Sequence, residues 1–266
     1  MSALNTLIGK AKPRTFAIGD IHGCRIELEA LIKAIKPTAD DTLIFLADSV
    51  DRGADSKGVI DIVMGLRDKC KVIALIGNHE AMMRDSFTEP DRAKRMKMAM
   101  MWMRNGGVQT IDSYTKDLPN QGDDYVMLAD TLEEMRLPET LQAHLDFIAT
   151  MPLYHITDTH IFVHASPFLD EAIEDQEEMA LIWRRAPASD ETLDYTHISG
   201  KTIVSGHTAQ ANGLPLKLSE KNIIIDSGCV WSGWLTAMNI DTGHCIQAST
   251  TSTRTIDNED YNRNRR

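Results

Sequence analysis

The chain has 266 residues, 42% hydrophobic and 25% charged, which fits a soluble globular protein with ample core for one large domain or two small ones. No apolar run approaches the roughly 18 residues that a membrane-spanning helix needs, and residues 1–12 hold no apolar stretch of the kind that directs export, so a cytoplasmic protein is expected. A net charge of −11 excludes the broad basic face that nucleic-acid binding requires.

Short apolar runs of strand length open the chain at Thr15–Gly19, Thr42–Ala47 and Lys71–Ile76. Between them, Leu28, Leu31, Ile32 and Ile35, then Val59, Val63 and Leu66, recur at the spacing of one helix face. Strand, helix, strand, helix, strand implies a parallel sheet with covering helices. From about Glu89 to Met151 the strand signals vanish. The Met-rich segment Met96–Met103 predicts a helix stopped by Asn105-Gly106-Gly107, and Glu139–Thr150 predicts another, with Leu141, Leu145 and Ile148 on one face. This stretch reads as a helical insert. Strand runs return at His160–His164, Thr202–Gly206 and Asn222–Asp226, and residues 249–266 read as a polar, mobile tail. Cys24, Cys70, Cys229 and Cys245 form no C-x-x-C pair, which leaves reduced thiols as the reading.

The strand ends carry the chemistry. Successive runs stop at Gly19-Asp20-Ile21-His22-Gly23, Asp48-Ser49-Val50-Asp51-Arg52-Gly53, Gly77-Asn78-His79-Glu80, His164, and Gly206-His207. In open α/β sheets the carboxyl ends of the strands line the ligand crevice, so these side chains should converge. Asp, Asn and His without thiolate suit Mn²⁺, Fe²⁺ or Zn²⁺. Six such ligands suit two metals ~3.5–4 Å apart that share a carboxylate, the arrangement used for phosphoryl displacement. Two divalent ions also answer a problem set by the net charge, because they make the site locally positive for a phosphate ester. His144, His155, His160, His197 and His244 fall outside these motifs and read as structural.

Taken in order, the motifs resemble the phosphoprotein phosphatase branch of the calcineurin-like metallophosphoesterases, including the small bacterial and phage lambda-type serine/threonine phosphatases. The likeness runs from Thr15 to Thr242 and includes Trp102–Gly107, Ile182-Trp183-Arg184-Arg185 and Ile225-Asp226-Ser227-Gly228. It implies an α/β fold, a four-layer sandwich of two mixed β-sheets flanked by helices, over residues 13–248 with the helical insert at about 89–151. It implies two divalent ions, Mn²⁺ first and Fe²⁺ or Zn²⁺ otherwise. One would be held by Asp20, His22 and Asp48, the other by Asp48, Asn78, His164 and His207. A hydroxide bridging the metals would attack phosphorus in line, with His79 as general acid, Asp51 orienting it, and Arg52 and Arg185 clamping the phosphoryl oxygens. Spacing from Trp183 favours Arg185 over Arg184.

Two departures qualify the resemblance. Ala47 stands where the family usually has glycine, and Ile76 stands where the protein phosphatases commonly have a phosphate-binding arginine; Arg84 and Arg104 are candidate replacements. The symmetrical diadenosine tetraphosphatases also lack that arginine, and they carry a segment similar to Gly228-Cys229-Val230-Trp231-Ser232-Gly233. The expected activity is hydrolysis of phosphomonoesters, on a phosphorylated protein or small phosphate ester. The alternative is a dinucleoside polyphosphate hydrolase. Neither reading involves nucleic acid or membrane.

Overall fold

The computed structural model describes residues 12–115, 138–187 and 194–262. The first three runs form β1 (Thr15–Ile18), β2 (Thr42–Phe45) and β3 (Lys71–Ala74), paired in parallel with Ala17 opposite Ile44 and Ile44 opposite Ile73. Helices α1 (Arg25–Ile35) and α2 (Ser56–Leu66) make the crossovers. Their buried side chains, Leu28, Leu31 and Ile35 on α1 and Val59, Val63 and Leu66 on α2, sit at the helical spacing that the sequence shows. Asp55 caps α2 by accepting from the Gly58 N–H at 2.8 Å.

A second set of strands follows: β4 (Tyr154–Ile156), β5 (His160–Val163), β6 (Thr202–Ser205), β7 (Leu216–Ser219) and β8 (Asn222–Ile224). The chain then returns to the first sheet as β9 (Leu235–Asn239), β10 (Cys245–Ala248) and β11 (Thr253–Ile256). The result is a six-stranded sheet in the order β11-β10-β9-β1-β2-β3 and a five-stranded sheet in the order β4-β5-β6-β8-β7, both mixed. Alternation along the strands builds two cores. Ala17, Ile44, Phe162, Val204, Ile223 and Met238 point into the space between the sheets. Phe16, Ile18, Leu43 and Phe45 point the other way, into the layer that holds α1 and α2. Both faces of β1 and β2 are therefore buried, which is why these strands read as continuous apolar runs.

Helix α3 (Asn78–Thr88) follows β3, and residues 89–151 then carry α4 (Arg92–Trp102), α5 (Val108–Tyr114) and α6 (Glu139–Ile148) where they are described. Residues 116–137 lie outside the described part. Two short helices come later, α7 (Glu178–Trp183) and α8 (Cys229–Ser232). Asn105-Gly106-Gly107 does not end a helix. It forms a π-helical turn, Met103–Gly107, that joins α4 to α5 through a kink at Gly106, φ 109°. The turn exists because the Arg52 N–H donates to the Gly106 carbonyl at 3.2 Å, and a Cβ on Gly106 would come within 2.6 Å of that nitrogen.

The tail also differs from expectation. Residues 253–256 form the edge strand β11, paired with β10 from Cys245↔Ile256 to Ala248↔Thr253. Its polarity is that of an edge: Thr253 and Thr255 face water while Ile256 and Tyr261 are buried. The histidines outside the motifs have structural partners. His144 bonds Tyr114 and Asp61, His197 bonds Ser199 and the Glu171 carbonyl, His155 and His160 stack on Phe162, and His244 pairs with Asp257. Among the described residues no helix is long and apolar enough to cross a membrane.

Candidate metal centre and active site

The loops that leave β1, β2, β5 and β6, together with the start of α3, bring Asp20, His22, Asp48, Asn78, His79, His164 and His207 into one place. All are buried except His207, which is partly so. The backbone is bent hard to do this. His22, Ala47, Asp48, Asp51, Arg52 and His207 all adopt positive φ, a conformation that costs a non-glycine residue on the order of 1–3 kcal/mol and persists where surrounding structure enforces it. Ala47, at φ 80°, shows what the usual glycine does there: it accepts this bend without strain. Part of the enforcement comes from Glu80. Its carboxylate accepts from the N–H groups of Asp48 (2.9 Å), Ser49 (2.6 Å) and Gly77 (3.1 Å), and so ties the β2 loop to the start of α3. Burial, with Asp48 nearby, pushes this carboxyl up to about 7. Gly206 must be glycine because a Cβ there would run into Asp20 Oδ1.

Carbonyl partners assign the imidazole tautomers. His22 Nδ1 donates to the Val50 carbonyl at 2.9 Å, His164 Nδ1 to that of Leu46 at 2.8 Å, and His207 Nε2 to that of Trp183 at 3.0 Å. The opposite ring nitrogen of each is therefore a lone pair aimed into the site. Burial pushes His22 and His207 down to about 3 and lowers His164 too, so all three are neutral, the form that ligates metal. Burial opposes charge on Asp48, yet its carboxyl is held low, with His79, the one imidazole of the four raised above its usual range, beside it.

These acceptors converge on one another. His164 Nε2 lies 3.0 Å from Asn78 Oδ1, 3.2 Å from His207 Nδ1 and 3.4 Å from Asp48 Oδ1. His22 Nε2 lies 3.6 Å from Asp48 Oδ2. Asn78, His164 and His207 set acceptor against acceptor around the Asp48 carboxylate, which fits a bound cation, while the His22 Nε2 lone pair takes an N–H of Arg52 Nη1 at 2.6 Å. Among the described residues, two groups around Asp48 meet the spacing of a metal site, Asp48 with His164 and His207, and Asp48 with His22 and His79; a third, Cys24 with Glu27 and Cys229, shares no residue with them. Asp48 belongs to both of the first two. Asp20 belongs to neither group. It accepts from the His207 N–H at 3.0 Å and is hydrogen-bonded to Asp226; burial, then Asp226 and Asp48, push its carboxyl well above the usual range.

A pocket of about 250 Å³ opens over this floor, lined by Asp48, Asn78, His79 and His207 below and by Arg52, Arg185, Trp183 and Trp231 around it. Arg184 turns away: its Nη1 donates to the carbonyls of Ser166 (3.0 Å) and Pro167 (2.9 Å). Ile76 is buried, with its N–H on the Pro152 carbonyl, and contributes nothing to the pocket. Arg84 does not replace the missing arginine. It pairs with Asp85 and Glu178 beside a separate apolar groove of about 520 Å³, which Met82, Met98, Met101 and Met179 also line. Arg104 is not among the pocket residues; its neighbour Asn105 is.

The profile of the calcineurin-like phosphoesterases matches residues 13–211. The chain belongs to that family. Similar curated relatives include the symmetrical bis(5'-nucleosyl)-tetraphosphatases of Cellvibrio japonicus, 26% identical with 88% of this chain and 98% of the relative covered, and of Pseudomonas fluorescens, also 26% identical with 86% and 92% covered. Among solved structures, one named as a candidate diadenosine tetraphosphatase is similar at TM-score 0.59 and 23% identity, covering 90% of this chain and 95% of that one. A serine/threonine phosphatase of Saccharomyces cerevisiae is similar at TM-score 0.55 and 12% identity, covering 93% and 81%. At these identities the solved structures carry the fold alone.

Calcineurin-like phosphoesterases typically bind two divalent metals, and the His/Asp clusters here fit a metal site. Several residues around that site went unassigned in the sequence. Glu80 and Asp226 are buried carboxylates at its edge, and Trp102 Nε1 (2.8 Å) and Thr110 Oγ1 (2.6 Å) both donate to Asp51 Oδ1. Asp226 carried a usable signal, because its apolar run ends in an acid as those before Asp20 and Asp48 do.

Asp51 Oδ2 accepts from His79 Nδ1 at 2.6 Å. Burial opposes charge on His79, but Asp48 and Asp51 outweigh it and raise the imidazole above its usual range. An Asp51→Asn variant keeps the bonds from Trp102 and Thr110 but turns an amide N–H toward His79, which must then accept at Nδ1 and lose its support for the proton. The sign follows: a raised His79 is protonated below its own pKa and loses that proton as pH rises through it. The alkaline limb of the pH–rate profile is therefore expected to move down by about 1–2 units in this variant. An unmoved limb would show that His79 does not set it.

Proposed function

We propose that this phosphoesterase hydrolyses dinucleoside polyphosphates, cleaving a phosphoanhydride of a diadenosine tetraphosphate-like substrate at a dinuclear metal site. The observation that carries this reading is Ile76, buried where the protein phosphatases commonly place a phosphate-binding arginine, so that Arg52 and Arg185 are the arginines that line the pocket. Relatives that share nearly the whole length of the chain are named for that activity. A serine/threonine protein phosphatase, the first expectation from the motifs, rests on features that both branches share, and the buried Ile76 removes an arginine which that branch commonly uses.

In this reading Asp20, His22 and Asp48 hold one ion, and Asp48, Asn78, His164 and His207 the other. When bound, such ions supply Lewis acidity and an activated water at neutral pH. The rest falls to the chain's own groups. Arg52 and Arg185 bind and orient the phosphate chain. His79 keeps a proton at Nε2, because Nδ1 is committed to Asp51, and can hand it to the departing phosphate oxygen. Asp51, held by Trp102 and Thr110, fixes the ring so that this proton points the right way.

The test compares kcat/KM for diadenosine tetraphosphate, a phosphoserine peptide and an aryl phosphate, each with Mn²⁺, Fe²⁺ or Zn²⁺ and with chelator. The dinucleotide is expected to be the best substrate and to yield nucleoside diphosphate, with all activity lost to chelator. A peptide hydrolysed better than the dinucleotide would return the function to protein dephosphorylation.

A further inference from the structure

Trp231 is 66% exposed, more than any other large apolar side chain among the described residues. An indole left in water forgoes one of the larger hydrophobic gains available to a side chain, so its place needs a reason. The place is specific. Trp231 lies on the four-residue helix α8, between Gly228 (φ 64°) and Gly233 (φ 73°), whose left-handed conformations turn the chain sharply on either side. The ring borders the phosphate pocket, and the Arg52 guanidinium lies 5.1 Å from its centroid. That same guanidinium reaches His22 Nε2 at 2.6 Å. One side chain thus spans from the metal-site floor to the exposed indole.

We infer that Trp231 is the stacking platform for a nucleobase of the substrate. This rests on the nucleotide reading above and says where the base goes. A cavity of about 250 Å³ falls below the ~300–1,000 Å³ of sites that enclose a whole small ligand, so it takes phosphates while the nucleoside lies on the rim. A phosphate held by Arg52 places its nucleoside, one ribose away, beside the indole that Arg52 touches. The cation on the ring holds the indole in place at little entropic cost, and the exposed area remains for a base. Every base has a π-face, so the platform accepts adenine and guanine alike and adds affinity without reading sequence.

The experiment measures competitive inhibition by ADP and by inorganic pyrophosphate, against whichever phosphate ester or anhydride the wild-type enzyme turns over. Base–aromatic stacking corresponds to roughly 5- to 150-fold in affinity. Trp231→Ala is expected to raise the inhibition constant of ADP by that factor and to leave that of pyrophosphate within about twofold. Trp231→Phe, which keeps an aromatic face, should recover most of the ADP affinity, and Trp231→Leu, which keeps bulk without one, should not. Equal shifts for ADP and pyrophosphate would mark a structural role, and no shift for ADP, or full recovery by leucine, would also overturn the inference. Both inhibitors report on Trp231 whatever the preferred substrate is. Failure of the wild type to cleave diadenosine tetraphosphate would instead defeat the preceding reading.

Discussion

Asp48→Asn is expected to lose both metal ions from tight binding, and to lose more activity than the roughly 10–100-fold that removal of an outer-shell partner costs. The reason is geometric. The Asp48 carboxylate is shared by both metal-spaced groups around it, with Oδ1 3.4 Å from His164 Nε2 and Oδ2 3.6 Å from His22 Nε2. Oδ1 also accepts from the His79 N–H at 3.2 Å, so the same group anchors the start of α3. Asparagine keeps the shape and one acceptor but removes the negative charge around which His22, His79, His164 and His207 gather. It also turns an N–H toward one of the two lone-pair sets. Metal content after dialysis and turnover with saturating Mn²⁺ decide the matter. Two ions per chain with near-normal turnover would show that Asp48 does not bridge.

Much of this site is visible in the order of residues, because each candidate ligand follows an apolar run and a parallel sheet gathers strand ends. Convergence itself is a property of the fold. The sequence shows that His164 and His207 end strands; it cannot show that their lone pairs meet at 3.2 Å. Glu80 illustrates the limit well. Its sequence neighbours suggest a helix start, whereas its work is done across the chain, on the N–H groups of Asp48 and Ser49. β11 was hidden because an edge strand with one buried face carries little apolar signal, and Thr253-Arg254-Thr255-Ile256 looks like tail. The Asn105-Gly106-Gly107 turn has the composition of a helix stop, and only the approach of the Arg52 backbone explains why the chain kinks there and continues as helix. Substrate class was only partly legible, because the motifs bind the phosphate, which monoesters and anhydrides share, while Ile76 and the Gly228–Gly233 segment with Trp231 were the features that pointed to the dinucleotide alternative.

The second large effect separates those substrate classes chemically. His79→Asn is expected to slow hydrolysis of an alkyl phosphate by roughly 10²–10⁴, the usual contribution of a general acid. For diadenosine tetraphosphate the loss should be much smaller, on the order of tenfold, because the departing nucleoside diphosphate is stable as an anion and needs the proton less. The structure gives His79 the features such a donor requires. The side chain is buried, its Nδ1 is held by Asp51 at 2.6 Å, and Asp51 is itself held by Trp102 and Thr110, so the proton at Nε2 has a fixed direction. Nε2 lies 3.9 Å from Asp48 Oδ2, close to the floor but beyond hydrogen-bonding distance, which leaves it able to serve a bound substrate. Asparagine preserves a polar contact to Asp51 but has no titratable proton near neutral pH. Steady-state kcat on both substrates, with metal content checked in the same preparation, gives the answer. A large loss on the alkyl ester beside a small one on the anhydride identifies His79 as the acid. Equal losses with intact metal content would mean that His79 positions Asp48 or the start of α3, and that leaving-group protonation comes from elsewhere.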